Sequence, residues 1–242
     1  KIVRGNGSYV TLSYGNFRKF YEVYGGYYPN FTGTSVVQKM RVDPDMDIGD
    51  FFFEIGSNSN VLETVPGASL SFERRIKDGI KSLPEWGSVT SGVTRKIGPS
   101  WQEESLVMDT ITLKGNTEVA GFNFSGEQRG EILTGRVYKE DVDSNTQFLS
   151  LDYDPQATNL VSTVKADKWT INDKAYMSFA YRFNHSHSDM NQIVTAFNGT
   201  TGAAVSNSHN GIIDGDASQD SHSWVQHFTT QLMPELNFNA KL

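Results

Sequence analysis

Apolar and polar side chains alternate at period two along much of this chain, and that period belongs to a pleated strand rather than to a helix. Tyr9-Val10-Thr11-Leu12-Ser13-Tyr14 carries it, as do Leu106 to Leu113, Glu118 to Phe124, Phe148 to Tyr153 and Tyr176 to Phe183. Turn-forming clusters separate many of these runs: Gly25-Gly26, Ser57 to Asn60, Gly115-Asn116, Asp141 to Asn145 and Asn198 to Gly202. Short strands with frequent turns predict an all-β fold, an antiparallel β-sandwich of the jelly-roll kind. With 242 residues, 37% of them hydrophobic, the chain can bury one large core, so residues 1–242 are expected to form a single domain.

Two stretches predict short helices. Phe72, Ile76, Ile80 and Leu83 recur at near-helical spacing between a potential cap at Ser71 and a stop at Pro84, although Gly79 works against a helix there. Trp224, Phe228 and Leu232 lie four apart, a spacing that fits either a helix or one face of a strand. The polar stretch from Asn198 to Ser223 reads as a surface excursion. No fixed-period repeat, heptad or low-complexity linker divides the chain.

A net charge of -7 and the lack of any Lys/Arg block argue against a nucleic-acid partner. The chain has no cysteine, so neither disulfides nor thiolate zinc sites hold it together. It contains no run of about 18 apolar residues, hence no transmembrane helix, and no membrane span is expected. The start at Lys1 is compatible with removal of a signal peptide. Five Asn-x-Ser/Thr sequons, at Asn6, Asn30, Asn123, Asn184 and Asn198, fit exposed loops of a secreted protein.

Acidic side chains on alternate residues give the strongest chemical pattern. Asp43, Asp45, Asp47, the carbonyl of Gly49 and Glu54 fall at positions 1, 3, 5, 7 and 12 of a twelve-residue loop, the register of an EF-hand. Its glycine comes one residue late, and Phe51-Phe52-Phe53 reads as a strand. Asp214, Asp216, Ser218 and Asp220 form a second run, although Val225 at its twelfth position cannot coordinate. Closely spaced oxygen ligands suit Ca2+, the expected cofactor; solvated acidic turns are the plain alternative. His185 and His187 have the spacing of a transition-metal clamp but need a third ligand such as His209, His222 or Asp189, so solvent-facing histidines are the expected reading.

Catalysis has thinner support. Tyr181, Arg182, His185 and Gln192 supply the residue types of a polysaccharide lyase acting on a uronate polymer. Glu103, Glu104 and Asp109 do not form a recognisable glycosidase motif, and no nucleophile elbow, P-loop or dinucleotide fingerprint is present. Aromatic residues in turn-rich surroundings, Tyr27, Tyr28, Trp86 and Trp101, with Tyr24 beside them, could present rings to a sugar.

Two pieces carry a resemblance. WTINDKAYMSFAYRFNHSHSDMNQIVTAFNG, Trp169 to Gly199, resembles a hairpin of laminin-G and other concanavalin A-like sandwiches. Asp50-Phe51-Phe52-Phe53-Glu54-Ile55-Gly56 is similar to a front-sheet strand of that superfamily. The resemblance implies a sandwich and does not choose among its functions. The reading that follows is an extracellular, cell-surface or virion-surface protein, lectin-like, stabilised by calcium and binding a polysaccharide or glycan. The alternatives are a structural subunit of a virion, phage tail or filament that binds copies of itself through Lys1 to Tyr14, and the lyase.

Overall fold

The computed structural model describes residues 1–4, 7–21, 44–57, 67–86, 97–144, 147–170, 175–198, 201, 203–205, 210–233 and 236–241. They form β1 (Ile2–Val3), β2 (Ser8–Phe20), β3 (Asp45–Ser57), β4 (Gly67–Trp86), β5 (Ile97–Val119), β6 (Phe122–Ser144), β7 (Gln147–Thr170), β8 (Ala175–Asn198), β9 (Ala204–Val205), β10 (Gly211–Met233) and β11 (Leu236–Lys241). Every pairing is antiparallel, and the order β1-β2-β3-β4-β5-β6-β7-β8-β10-β11 is a plain meander, with β9 pairing beside β8.

Several local expectations give way to strand. The segment from Phe72 to Leu83 lies wholly within β4, where its spacing of four also places residues on one face of a strand. Trp224 to Leu232 lies in β10, and no helix occurs among the described residues. Gly115-Asn116 continues β5 instead of turning, because both residues pair on each side, with Ala68 and Gly67 and with Gly126 and Ser125. The polar stretch beyond Gly211 is β10, not an excursion. The run from Glu118 to Phe124 is two strands, folded back at Ala120-Gly121. There φ values of 53° and 75° make the two-residue turn whose twist suits a tight hairpin.

The expected two packed layers are likewise replaced, among the described residues, by one sheet. A sheet with no partner layer leaves both faces uncovered.

The two faces differ in chemistry. Follow one row of partners across the strands: Leu12, Phe53, Phe72, Ile111, Gly130 and Leu160 stand side by side on one face. The adjacent row points the other way and reads Thr11, Glu54, Ser71, Thr112, Arg129 and Val161. Among the described residues of β2–β11, twenty of the twenty-four large apolar side chains that stand exposed belong to the first, apolar face. Of the nine buried residues other than glycine and proline, seven, including Met46, Glu104, Val137 and Val161, belong to the polar face, which is therefore the concave one.

Glycine permits the curvature. At Gly79 φ is 139°, and a Cβ would stand 2.3 Å from the Asp45 carbonyl oxygen; at Gly135 φ is 159°, and it would stand 2.2 Å from that of Ser105. Both glycines lie on the polar face, so the sheet bends toward it where no side chain resists. Pro155, with no N–H to donate, sits where the β6–β7 ladder lapses between Thr134 and Val137.

The apolar band runs obliquely. The row from Leu12 to Leu160 continues to His185 and Asp220, whereas Trp224 and Phe228, four and eight residues further along β10, carry the band there. Over seven steps between strands the band thus advances by slightly less than one residue per step. With about 3.3 Å per residue and 4.8 Å between strands, the strands incline by roughly 30–35° from the normal to the band.

Candidate functional site

On the polar face one row crosses eight strands: Tyr9, Gly56, Ser69, Lys114, Glu127, Thr163, Arg182 and Ser223. Its first six members other than Gly56 line a hollow of about 460 Å³, together with Glu54, Asn116, Ser125 and Lys165 from the neighbouring rows. Gly56 shapes its edge. A Cβ there would stand 2.8 Å from Tyr9 Cζ, so the bare backbone lets the phenol ring lie across β3, and its hydroxyl donates to Glu54 Oε1 at 3.0 Å. Lys1 Nζ stands 4.8 Å over the same ring.

Charge in the hollow is internally matched. Lys114 Nζ lies 3.6 Å from Glu127 Oε2, and Lys165 Nζ lies 3.4 Å from Asp167 Oδ1. Further along the same face, Arg129 pairs with Glu131, whose other oxygen accepts from Asn159 at 2.8 Å. Near the bend, the Glu104 carboxylate is buried; Lys81 and Gln102 donate to Oε1, while Lys77 Nζ is 2.7 Å from Oε2 at an angle outside hydrogen bonding. The polar face is thus ionic, hydroxyl-rich and nearly self-neutralising.

The acidic runs do not gather into turns. Asp43 lies outside the described residues, while Asp45 and Asp47 sit on β3 and bind Arg18 at 3.4 and 2.7 Å. Glu54 lies on the opposite face, nine residues from Asp45, a separation of roughly 30 Å in an extended strand. Asp214, Asp216, Ser218 and Asp220 are strung along one face of β10, with Asp216 and Asp220 facing His187 at 3.6 Å and His185 at 2.6 Å. Extended backbone holds alternate side chains about 6.6 Å apart, too far for one short loop to wrap an ion. Among the described residues no group of three or more His, Asp and Glu is placed to hold a metal.

The remaining expectations separate by face. Tyr181 and His185 stand on the apolar side of β8, and Arg182 and Gln192 on the polar side, so the lyase residue types do not converge. Tyr181 instead meets His222 Nδ1 at 2.8 Å and stacks near Trp224 at 4.5 Å. Trp101 packs on Tyr138 at 5.2 Å, Trp86 ends β4, and Tyr24, Tyr27, Tyr28 and His209 lie outside the described residues. Of the sequons, Asn123 and Asn184 are in strands on the polar face rather than in loops, Asn198 ends β8, and Asn6 and Asn30 are outside the described residues.

Sequence reasoning missed Tyr9, Ser69, Lys114, Glu127 and Lys165. Their signal was the polar half of the same alternation that marked the strands. No protein-family model matches the chain, and no curated protein matches it.

Proposed function

We propose that this sheet is the wall of a transmembrane β-barrel, with its apolar face toward lipid and its polar face lining a water-filled passage for small polar solutes. The observation that carries the reading is the separation of faces, row by row, in a single layer: Leu12 to Leu160 outward, Thr11 to Val161 inward. Such a layer is unstable in water, where the apolar band would be fully wetted, and matched to a bilayer, where it is not.

Dimensions agree. On β8 the outward residues Ala175, Met177, Phe179, Tyr181 and Phe183 span nine residues of strand, roughly 30 Å, which at an inclination of roughly 30–35° from the normal to the band rises about 25 Å. Aromatic rings stand at one margin of the band, at Phe122 and Phe124 beside the Ala120-Gly121 turn and at Phe228 and Phe238, as at a membrane interface. At that margin the strands are joined by the two-residue turn Ala120-Gly121 and by the four-residue interval 171–174. The strands run on past the other margin with ionic outward residues, among them Asp47, Arg136, Asp154 and Asp189. Among the described residues no helix is long and apolar enough to cross a membrane, which leaves crossing by strands untouched. In lipid the edge strands β2 and β11 must also be paired, since an open ladder would leave N–H and C=O groups without partners.

Reconstitution tests the reading. The full chain, refolded into detergent and mixed with phospholipid vesicles, is expected to float with them and to raise single-channel currents in a planar bilayer. A chain that stays in the aqueous phase without detergent and produces no current would overturn it.

A further inference from the structure

We infer that the hollow on β2–β7 binds a neutral polyhydroxylated solute, a sugar of one or two rings; this rests on the pore reading above and gives it a substrate class. Size comes first. A volume of about 460 Å³ falls in the range of small-ligand sites.

Charge then narrows the chemistry. The lining holds two carboxylates, Glu54 and Glu127, and two ammonium groups, Lys114 and Lys165. A charged ligand would have to compete for groups that already have partners: Tyr9 for Glu54, Glu127 for Lys114 and Asp167 for Lys165. It would also leave its own charge unbalanced in a site whose lining sums to zero. A sugar hydroxyl can donate to a carboxylate and accept from an ammonium group at once, so it inserts into such pairs without changing the charge. Ser69, Ser125 and Thr163 add further donors and acceptors from three separate strands. Tyr9 acts here as a positioning residue, holding the Glu54 carboxylate to one side through its 3.0 Å hydrogen bond.

Calorimetry with the detergent-solubilised full chain decides the point, with glucose, maltose and sodium gluconate as probes. Saturable heat is expected with maltose and not with gluconate. Glu127→Gln and Lys114→Met should each weaken maltose binding about tenfold, the scale of one lost charge-assisted hydrogen bond. Glu118→Gln, on the same face outside the hollow, should leave binding unchanged. Matching far-UV circular dichroism would show that the variants are folded. No heat with either sugar, or tighter binding of gluconate, overturns the inference even where bilayer currents uphold the pore. Sugar binding without current would instead remove the pore reading and leave the hollow as a sugar site.

Discussion

Tyr9 reaches Glu54 by lying over Gly56, the residue that separates them on the sheet, and its hydroxyl donates to the carboxylate at 3.0 Å. The contact exists because β3 offers bare backbone at that row. A Cβ on Gly56 would stand 2.7 Å from the Tyr9 hydroxyl and 2.8 Å from Ser69 Cβ, so Gly56→Ala should displace the ring and cost about 1–3 kcal/mol. Gly15, on β2, has nothing within 4 Å of its would-be Cβ, and Gly15→Ala should stay within about 0.5 kcal/mol of the parent. Urea unfolding in detergent, followed by tryptophan fluorescence, compares the two; equal losses would refute the packing.

Adjacent residues on β4 distinguish the faces. Leu70 is 47% exposed on the apolar side, and Ser71 points inward. Leu70→Lys should therefore cost about 2–4 kcal/mol of folding into lipid vesicles, while Ser71→Lys should cost far less. Comparable yields of folded, protease-resistant protein for the two variants would contradict the assignment of faces.

Glu104 tests the interior of the bend. Its side chain is 4% exposed, with Lys77 and Lys81 directed at its two oxygens. Glu104→Ala would leave the two ammonium groups facing each other without their shared counter-charge, at a cost of about 2 kcal/mol. A double variant that also carries Lys81→Met should recover part of the loss, and unfolding midpoints for both would show it.

Beyond the band, the Arg136 guanidinium donates to both oxygens of Asp152, at 2.9 and 2.6 Å, and holds that carboxyl below the usual carboxylate range. A depressed folded value means that the pair stabilises above the unfolded value of about 3.9, and that its contribution is lost as pH falls through the folded one. Solvent reaches both partners, which keeps the contribution small. Arg136→Gln should accordingly flatten the stability profile below about pH 4 and leave its shape near neutrality unchanged; an unaltered acid limb would count against the pair.

Much of the strand content was legible in the chain. The alternations at Tyr9 to Tyr14, Leu106 to Leu113 and Tyr176 to Phe183 all lie in strands. Strand length was not. Gly115-Asn116 has the composition of a turn, yet flanking strands hold it extended, and pairing partners cannot be seen in a local window. The same limit explains Phe72 to Leu83, where a spacing of four serves a helix and a strand alike. The acidic runs lie along strands for a related reason. Alternation crowds carboxylates in a turn but spreads them along a strand, and the choice between the two depends on whether neighbours pair.

Sequence alone determined that the backbone is predominantly extended and which residues share a face within each strand, because both follow from a period of two along one segment. Register decided the rest. Only strand pairing lines up Leu12, Phe53, Phe72 and Ile111 as a wall, brings Tyr9, Lys114 and Glu127 to one hollow, and leaves the sheet as a single layer. Contacts between residues distant in sequence depend on hydrogen-bonded rows across many strands, and a one-residue slip in any pair would exchange the two faces.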